Sequence, residues 1–447
     1  MVNRSDEHDD RPVRTIVTHP VSRRTVLAGA AVAGGAAMVA GGAVRPAPAS
    51  AQEPVTISLW WPIDSTNQDW DAALELIAGF EAANPDVKVE PQTVSFEQLE
   101  NRLVVASQGG SLPDVAWALA ENVPTYQSLG LLADYTDKWA AWAGSAGIAD
   151  NIKAGAVFDG KTMSVMPQYL GIRNYQYHAS QFEEAGVAGV PATWDDLIAA
   201  GLALKEVGYS GFAFCGSSVR LPQELVVYLW QNNLEIAVDT GGGVWHNTWA
   251  DNPAEMTRAT EVFQFYYDLL FAHGIAPRDV ASWGYEQLDE GFATGGVSSA
   301  VDGPWIQSYE ASYPDEMADV QFGPIPYKLT PATFLEVNYN VMFANSPHPE
   351  QAWRFLQYIG GPEGQAGPFY NYRTVRSDVT PPDSKWSASF LALAEQGKTW
   401  PQIPLGSIPQ SMIDAVQSVL LEQATPAEAA QKLSEQINTA LVEQGNA

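Results

Sequence analysis

The residues of this chain best suited to chemistry are aromatic and acidic, and they suit recognition better than bond making. All fifteen tryptophans lie after Gln52. Trp60 and Trp61 are adjacent and followed at once by Pro62 and Asp64; Trp117 precedes Glu121 and Asn122; Trp305 follows Asp302-Gly303-Pro304. An indole face stacks on the C–H face of a sugar ring, while carboxylates, amides and guanidinium groups exchange hydrogen bonds with its hydroxyls. This pattern points to a polyhydroxylated ligand held without covalent change. Trp70, Trp194 and Trp353 sit among apolar residues at helical spacing and are expected to pack instead.

Signatures of catalysis are missing. Four histidines follow the first 51 residues (His178, His246, His273 and His348), too far apart for an H-E-x-x-H helix. One cysteine, Cys215, excludes an intrachain disulfide and a cysteine zinc cage. No G-x-S-x-G elbow, Walker loop or strand-borne G-x-G-x-x-G is present. A glycosidase pair could be drawn from the many carboxylates, but nothing in their spacing selects one. No catalytic residue, metal or cofactor is therefore expected. With 23 Lys+Arg against 52 Asp+Glu, the net charge of −29 repels nucleic acid and anionic membranes.

Strands and helices that could position these side chains alternate along the chain. Val55 to Trp60 is a β-rich run, and Trp70, Leu74, Ile77 and Phe80 recur at helical spacing until Asn84-Pro85. Val87 to Val94 reads as the next strand. Ser95 with Gln98 predicts a capping box on a second helix that Gly109-Gly110 stops, before the apolar strand Val115 to Leu119. Further helices are expected to open at Thr193, at Asn252-Pro253 and at Thr425-Pro426, the last with Glu428 completing a capping box. At the carboxyl ends of strands, where open α/β sheets bind their ligands, stand Trp60, Trp61 and Trp117. Trp60 and Trp61, being neighbours on a strand, must point to opposite faces.

Residues 1–51 differ in kind. Arg23-Arg24 precedes an Ala/Gly/Val stretch that ends at Val44, and Ala49-Ser50-Ala51 supplies a small-residue cleavage site. This has the form of a twin-arginine export signal. A membrane anchor is the competing reading, but Arg45, Pro46 and Pro48 break the run, and no cysteine follows to carry a lipid. The expected product starts near Gln52, and is soluble and exported to the periplasm or beyond.

The order of motifs resembles that of the extracellular solute-binding proteins of ABC importers, in the group 1 sugar-binding branch related to maltose-binding protein. The likeness rests on seven co-linear stretches between residues 54 and 445. They are Phe80-Glu81-Ala82-Ala83-Asn84-Pro85 with Val87-Lys88-Val89, Leu112-Pro113-Asp114-Val115 with Ser128-Leu129-Gly130-Leu131-Leu132, Asp159-Gly160-Lys161, Thr193-Trp194-Asp195-Asp196-Leu197, Phe292-Ala293-Thr294-Gly295, Asp302-Gly303-Pro304-Trp305, and Ala344-Asn345-Ser346 through Trp353. At two places the chain departs from the pattern. Glu336-Val337-Asn338-Tyr339 stands where many relatives have Gly-Gly-Trp, and no aromatic occurs between Pro409 and Ile413.

The resemblance implies an α/β, two-lobed periplasmic-binding-protein fold of type II, hinged and closing on its ligand. The chain would cross between lobes near Tyr169 to Arg173, Glu336 to Asn340, and Tyr372 to Pro382. Residues 52–168 with 341–375 would form the N-terminal lobe, and 169–340 with 376–447 the C-terminal lobe. The ligand-binding set would be Trp60, Trp61, Asp64, Trp117, Glu121, Asn122, Tyr169, Arg173, Trp230, Asp302, Trp305, Asn338, Tyr339 and Arg373. Its ligand would be a di- or oligosaccharide, its partners the permease subunits of an ABC importer, and the protein a monomer. Three alternatives remain open at this point: a binder of a small anion such as a glycerol phosphate, which would need clustered arginines, a secreted glycoside hydrolase, and a cell-surface lectin that feeds no transporter.

Overall fold

A computed structural model describes residues 53–63, 69–370, 373–387, 393 and 396–447. The expected export signal and Asp64 lie outside these residues. Strand β1 (Val55–Trp61) leads into helix α1 (Trp70–Ala83), β2 (Val87–Thr93), α2 (Leu99–Gly109) and β3 (Val115–Leu119). Two sequence expectations need correction here. Leu74 is 38% exposed, and Ala73, Leu76, Ile77 and Phe80 form the buried stripe of α1 instead. Ser95 makes no side-chain cap; a short 3-10 turn, Phe96–Gln98, precedes α2, so the S-x-x-Q spacing is spent on that turn. Gly110 ends α2 at φ +64°, a conformation that glycine adopts without a Cβ penalty.

β1 pairs in parallel with β2 on one side and β3 on the other. The sheet is completed by two long strands, β4 (Val165–Ile172) and β8 (Thr333–Met342), in the order β2-β1-β3-β8-β4, and by the short β9 (Gly397–Lys398), which pairs in parallel with the start of β8. β8 is antiparallel to both β3 and β4, with Asn338 opposite Leu119 and Tyr169, and Glu336 opposite Gly171. The register slips between Asn338 and Tyr339. A second sheet centres on β5 (Asn174–His178), flanked antiparallel by β6 (Ser299–Asp302) and β7 (Val320–Gly323). Around it pack α3 (Trp194–Glu206), α4 (Leu221–Gln231), α5 (Pro253–Tyr267), α6 (Ile408–Leu420) and α7 (Pro426–Glu443). Helices open at Thr193, Asn252 and Thr425 as the sequence predicts, with the expected capping box of Thr425 and Glu428, a second box of Thr193 and Asp196, and Asn252 accepting from Ala254 N.

The apolar residues form two separate cores. One gathers residues from Ile57 to Tyr169 and from Val337 to Val375; the other gathers residues from Ile172 to Phe334 and from Trp386 to Leu441. β4 and β8 run from one core into the other side by side: Tyr169 and Val337 belong to the first, Ile172 and Phe334 to the second. Trp305 packs against both. The molecule is thus two-lobed, with its functional candidates near the junction. Among the described residues, no helix is long and apolar enough to cross a membrane.

Candidate functional site between the lobes

A cavity of about 350 Å³ opens between the cores. From the first side it is lined by Phe96, Glu97, Leu99, Glu100, Trp117, Glu121, Asn122 and Tyr126; from the second by Val219, Leu405, Gly406, Pro409, Gln410, Ile413 and Gln444, among others. Of the predicted residues, Trp117, Glu121 and Asn122 line it. All three come from the carboxyl end of β3 and the turn after it, where parallel strands leave their ligand sites. The stretch Pro409–Ile413, in which the sequence offers no aromatic, contributes a proline, an amide and an isoleucine.

Next to the cavity a polar network joins the lobes. Gln223, near the start of α4, donates to Glu121 Oε1 at 2.9 Å and accepts from Arg173 Nη2. Arg173 also faces Glu336 at 3.7 Å, and Glu336 accepts from Asn338 Nδ2 at 2.7 Å. The Arg173 guanidinium lies 5.0 Å from the Trp305 ring, and that of Arg220 4.3 Å from the same ring and 4.4 Å from Tyr285. Arg220 donates to both oxygens of Asp289 at 2.9 and 3.0 Å and faces Asp302 at 3.9 Å. Gly303 is required for this arrangement, because a Cβ there would stand 2.2 Å from the Trp305 ring. Glu97 makes a second bridge, accepting from Ser218 Oγ at 2.8 Å and Val219 N at 3.2 Å, with Phe96 edge-on to Tyr285 beside it.

Several atoms of this region are buried yet have no hydrogen-bond partner among the described residues. The donors are Trp117 Nε1, Arg173 Nε and Trp305 Nε1; the acceptors are Glu121 Oε2, Asp302 Oδ2 and Asn338 Oδ1. Buried polar atoms are rarely left so, and each costs roughly 1–3 kcal/mol unless a ligand or water satisfies it. Burial also pushes the Glu121 carboxyl up to about 7, with Glu336 adding to the rise and Arg173 opposing it. Asp302 is pushed well above the carboxylate range by burial and by Asp289.

Other predicted residues take up different places. Trp61 is core: its ring stacks on Phe369, meets Trp117 edge-on at 6.2 Å, and its indole donates to Asn340 at 3.0 Å. Tyr169 packs on Trp117 on one side and on the Arg373 guanidinium at 4.9 Å on another. Arg373 pairs with Asp69 at 2.6 Å, so it supports Tyr169 from behind. Trp60, on the other face of β1, lies 5.0 Å from Arg102. Trp230 is buried in the second core, donating to Glu235 at 2.8 Å and stacked on Phe334. The Tyr339 hydroxyl donates to Ile152 O at 3.3 Å. The structure therefore brings Trp61, Trp117, Glu121, Tyr169, Arg173, Asp302, Trp305, Asn338 and Arg373 into one connected cluster beside the cavity, and leaves Trp60, Trp230 and Tyr339 elsewhere. Sequence reasoning missed Gln223, Glu97 and Asp289, which belong to no motif.

Residues 64–366 match the family described as bacterial extracellular solute-binding protein. The chain belongs to that family. It is 23% identical over 365 residues to a binding protein of Brucella abortus, covering 79% of this chain and 85% of that one. Among solved structures it is similar to the GacH receptor of Streptomyces glaucescens GLA.O, studied unliganded and with acarbose (20% identity, TM-score 0.76, 88% of this chain and 100% of that one). It is also similar to a solute-binding protein of an ABC transporter from Thermotoga lettingae bound to α-D-tagatose (24% identity, TM-score 0.76, 87% and 100%). These likenesses carry the two-lobed periplasmic-binding-protein fold. As a member of a family of solute-binding proteins the chain is not an enzyme.

Proposed function

We propose that this solute-binding protein captures a di- or oligosaccharide in the cavity between its lobes and delivers it unaltered to the permease subunits of an ABC importer. The supporting observation is the set of buried donors and acceptors around Trp117, Glu121, Arg173 and Trp305, interleaved with aromatic rings, which is the chemistry hydroxyl groups need. The similar proteins crystallised with acarbose, an oligosaccharide, and with tagatose, a monosaccharide, support a sugar ligand. The export signal in residues 1–51 and a monomeric product complete the reading, as do lobes made of residues 52–168 with 341–375 and 169–340 with 376–447.

Closure follows from differential contact. Only the closed form lets one ligand touch Trp117 and Glu121 on one side and the second lobe on the other, so the ligand shifts the population toward it. Stacking one sugar ring contributes about 1 kcal/mol beyond its area, and a hydrogen bond to a charged group about 1.5–3. A few of each reach the roughly −8 kcal/mol of a micromolar complex after ordering costs.

An anionic ligand fits less well. Arg173, Arg220 and Arg373 face Glu336, Asp289 with Asp302, and Asp69 respectively, so the region carries no surplus positive charge. The test is a thermal-shift screen of the purified protein against mono-, di- and oligosaccharides and glycerol phosphates. A ligand held only by the folded state raises the melting temperature; a rise with glycerol phosphate and with none of the sugars would replace this reading.

A further inference from the structure

Among the described residues, the cavity lining contains three carboxylates, Glu97, Glu100 and Glu121, and no lysine, arginine or histidine. The groups donating to them are neutral: Ser218 and Val219 to Glu97, the Tyr126 hydroxyl to Glu100, and the Gln223 amide to Glu121. Arg220 is engaged with Asp289, and Arg173, which bonds Gln223 and faces Glu336, only partly offsets the burial of Glu121. Glu121 is 8% exposed, and its Oε2 has no hydrogen-bond partner among the described residues. Trp117, 7% exposed, lines the same cavity, and its indole N–H likewise has no partner among the described residues.

A buried carboxylate whose hydrogen-bond donors are neutral and whose nearest cation is shared with another acid is costly, and a bound cation relieves that cost. Consistent with this, burial pushes both Glu100 and Glu121 up to about 7, and Glu121 further raises Glu100. An ammonium group would donate to these carboxylates as a hydroxyl does and would add a full opposite charge, whose attraction grows as the local dielectric falls. A uronic acid would instead bring a fourth negative charge into the same space.

Building on the sugar-binding reading above, we propose that the interlobe cavity is selective for a saccharide bearing a protonated amine, whose ammonium sits against Glu121 and Glu100. The apolar part of the lining, including Leu99, Val104, Leu405 and Ile413, strengthens this preference by lowering the local dielectric. Selectivity of this kind comes from the carboxylates and not from the aromatic rings, which hold neutral and charged sugars alike.

Titration calorimetry of the purified protein with matched probes tests it. One set is glucose, glucosamine, N-acetylglucosamine and glucuronate; another is cellobiose, the deacetylated chitosan dimer and diacetylchitobiose. The amine is expected to bind at least tenfold tighter than its neutral and acidic counterparts, and Glu121→Gln to shrink that ratio at least fivefold. Glu100→Gln gives the same readout should Glu121→Gln lower the melting temperature. A neutral sugar binding as tightly as its amine would overturn the ammonium site and leave the sugar reading standing. No binding by any probe, charged or neutral, would count against both.

Discussion

Glu97 accepts a hydrogen bond from Ser218 Oγ at 2.8 Å across the cavity, so a carboxylate of the first lobe is held by a hydroxyl of the second. Val219 N reinforces it at 3.2 Å. Neither residue contributes to either apolar core, and the contact exists only when the lobes are together. Glu97→Ala is therefore expected to disfavour the closed form. A hydrogen bond to a charged group contributes about 1.5–3 kcal/mol, so apparent ligand affinity should fall about tenfold or more with little change in melting temperature. Calorimetry showing unaltered affinity would exclude a role for this contact in closure.

Trp305 ties the lobes together differently. It packs against both cores and carries the Arg173 and Arg220 guanidinium groups against its ring. Trp305→Ala should weaken ligand binding at least tenfold, because the cation–π contacts that hold Arg173 and Arg220 in place would be lost. Trp305→Phe, which keeps a ring but removes the unpartnered indole N–H, should lose less. Equal affinities for all three proteins would remove Trp305 from the site.

Stability should fall as pH rises from acid to alkaline. Burial raises Glu100 and Glu121 to about 7 and Glu224 to about 8. Each of these groups binds its proton more tightly folded than unfolded. Their contribution is complete below the ordinary glutamate value and is lost as pH climbs through about 7 to 8. The depressed carboxylates, such as Asp86, Asp196 and Glu428, work in the opposite sense but only at lower pH, and they lie on the surface. The melting temperature near pH 5.5 should exceed that near pH 8.5. A flat or rising profile across that interval would contradict the burial of these carboxyls.

Thr193 and Thr425 test the helix starts. Each accepts from a backbone N–H three residues on and is bonded in return by Asp196 or Glu428. Replacing either threonine by alanine should cost about 1 kcal/mol in chemical denaturation. No loss at Thr425 would mean that α7 owes its start to packing alone.

Much of the scaffold was legible because its signals are local. The β-rich runs at Val55 and Val115, the caps at Thr193 and Thr425 and the small-residue turn at Gly303 act over a few residues. Ser95 misled because a capping box needs a helix that begins immediately, and here a 3-10 turn intervenes. Leu74 misled because apolar residues of α1 spread around much of its circumference and only packing selects the inward stripe.

The site was legible in part for a related reason. Trp117 and Glu121 were found because they stand at a strand end. The paired Trp60 and Trp61 carry the same signal, yet, pointing to opposite faces of β1, one lies beside Arg102 and the other under Phe369. Gln223 left no trace: a neutral side chain on an apolar helix acquires its role only when folding brings it between Arg173 and Glu121.

The central claim is that the cavity at Trp117 and Glu121 holds the ligand. Titration calorimetry of the wild-type protein and of Trp117→Ala, using the oligosaccharide that most raises the melting temperature, tests it most directly. One site per chain with roughly micromolar affinity, weakened at least thirtyfold by the substitution, is the expected result. Affinity within twofold of wild type in a properly folded Trp117→Ala protein would place the ligand elsewhere and contradict the account.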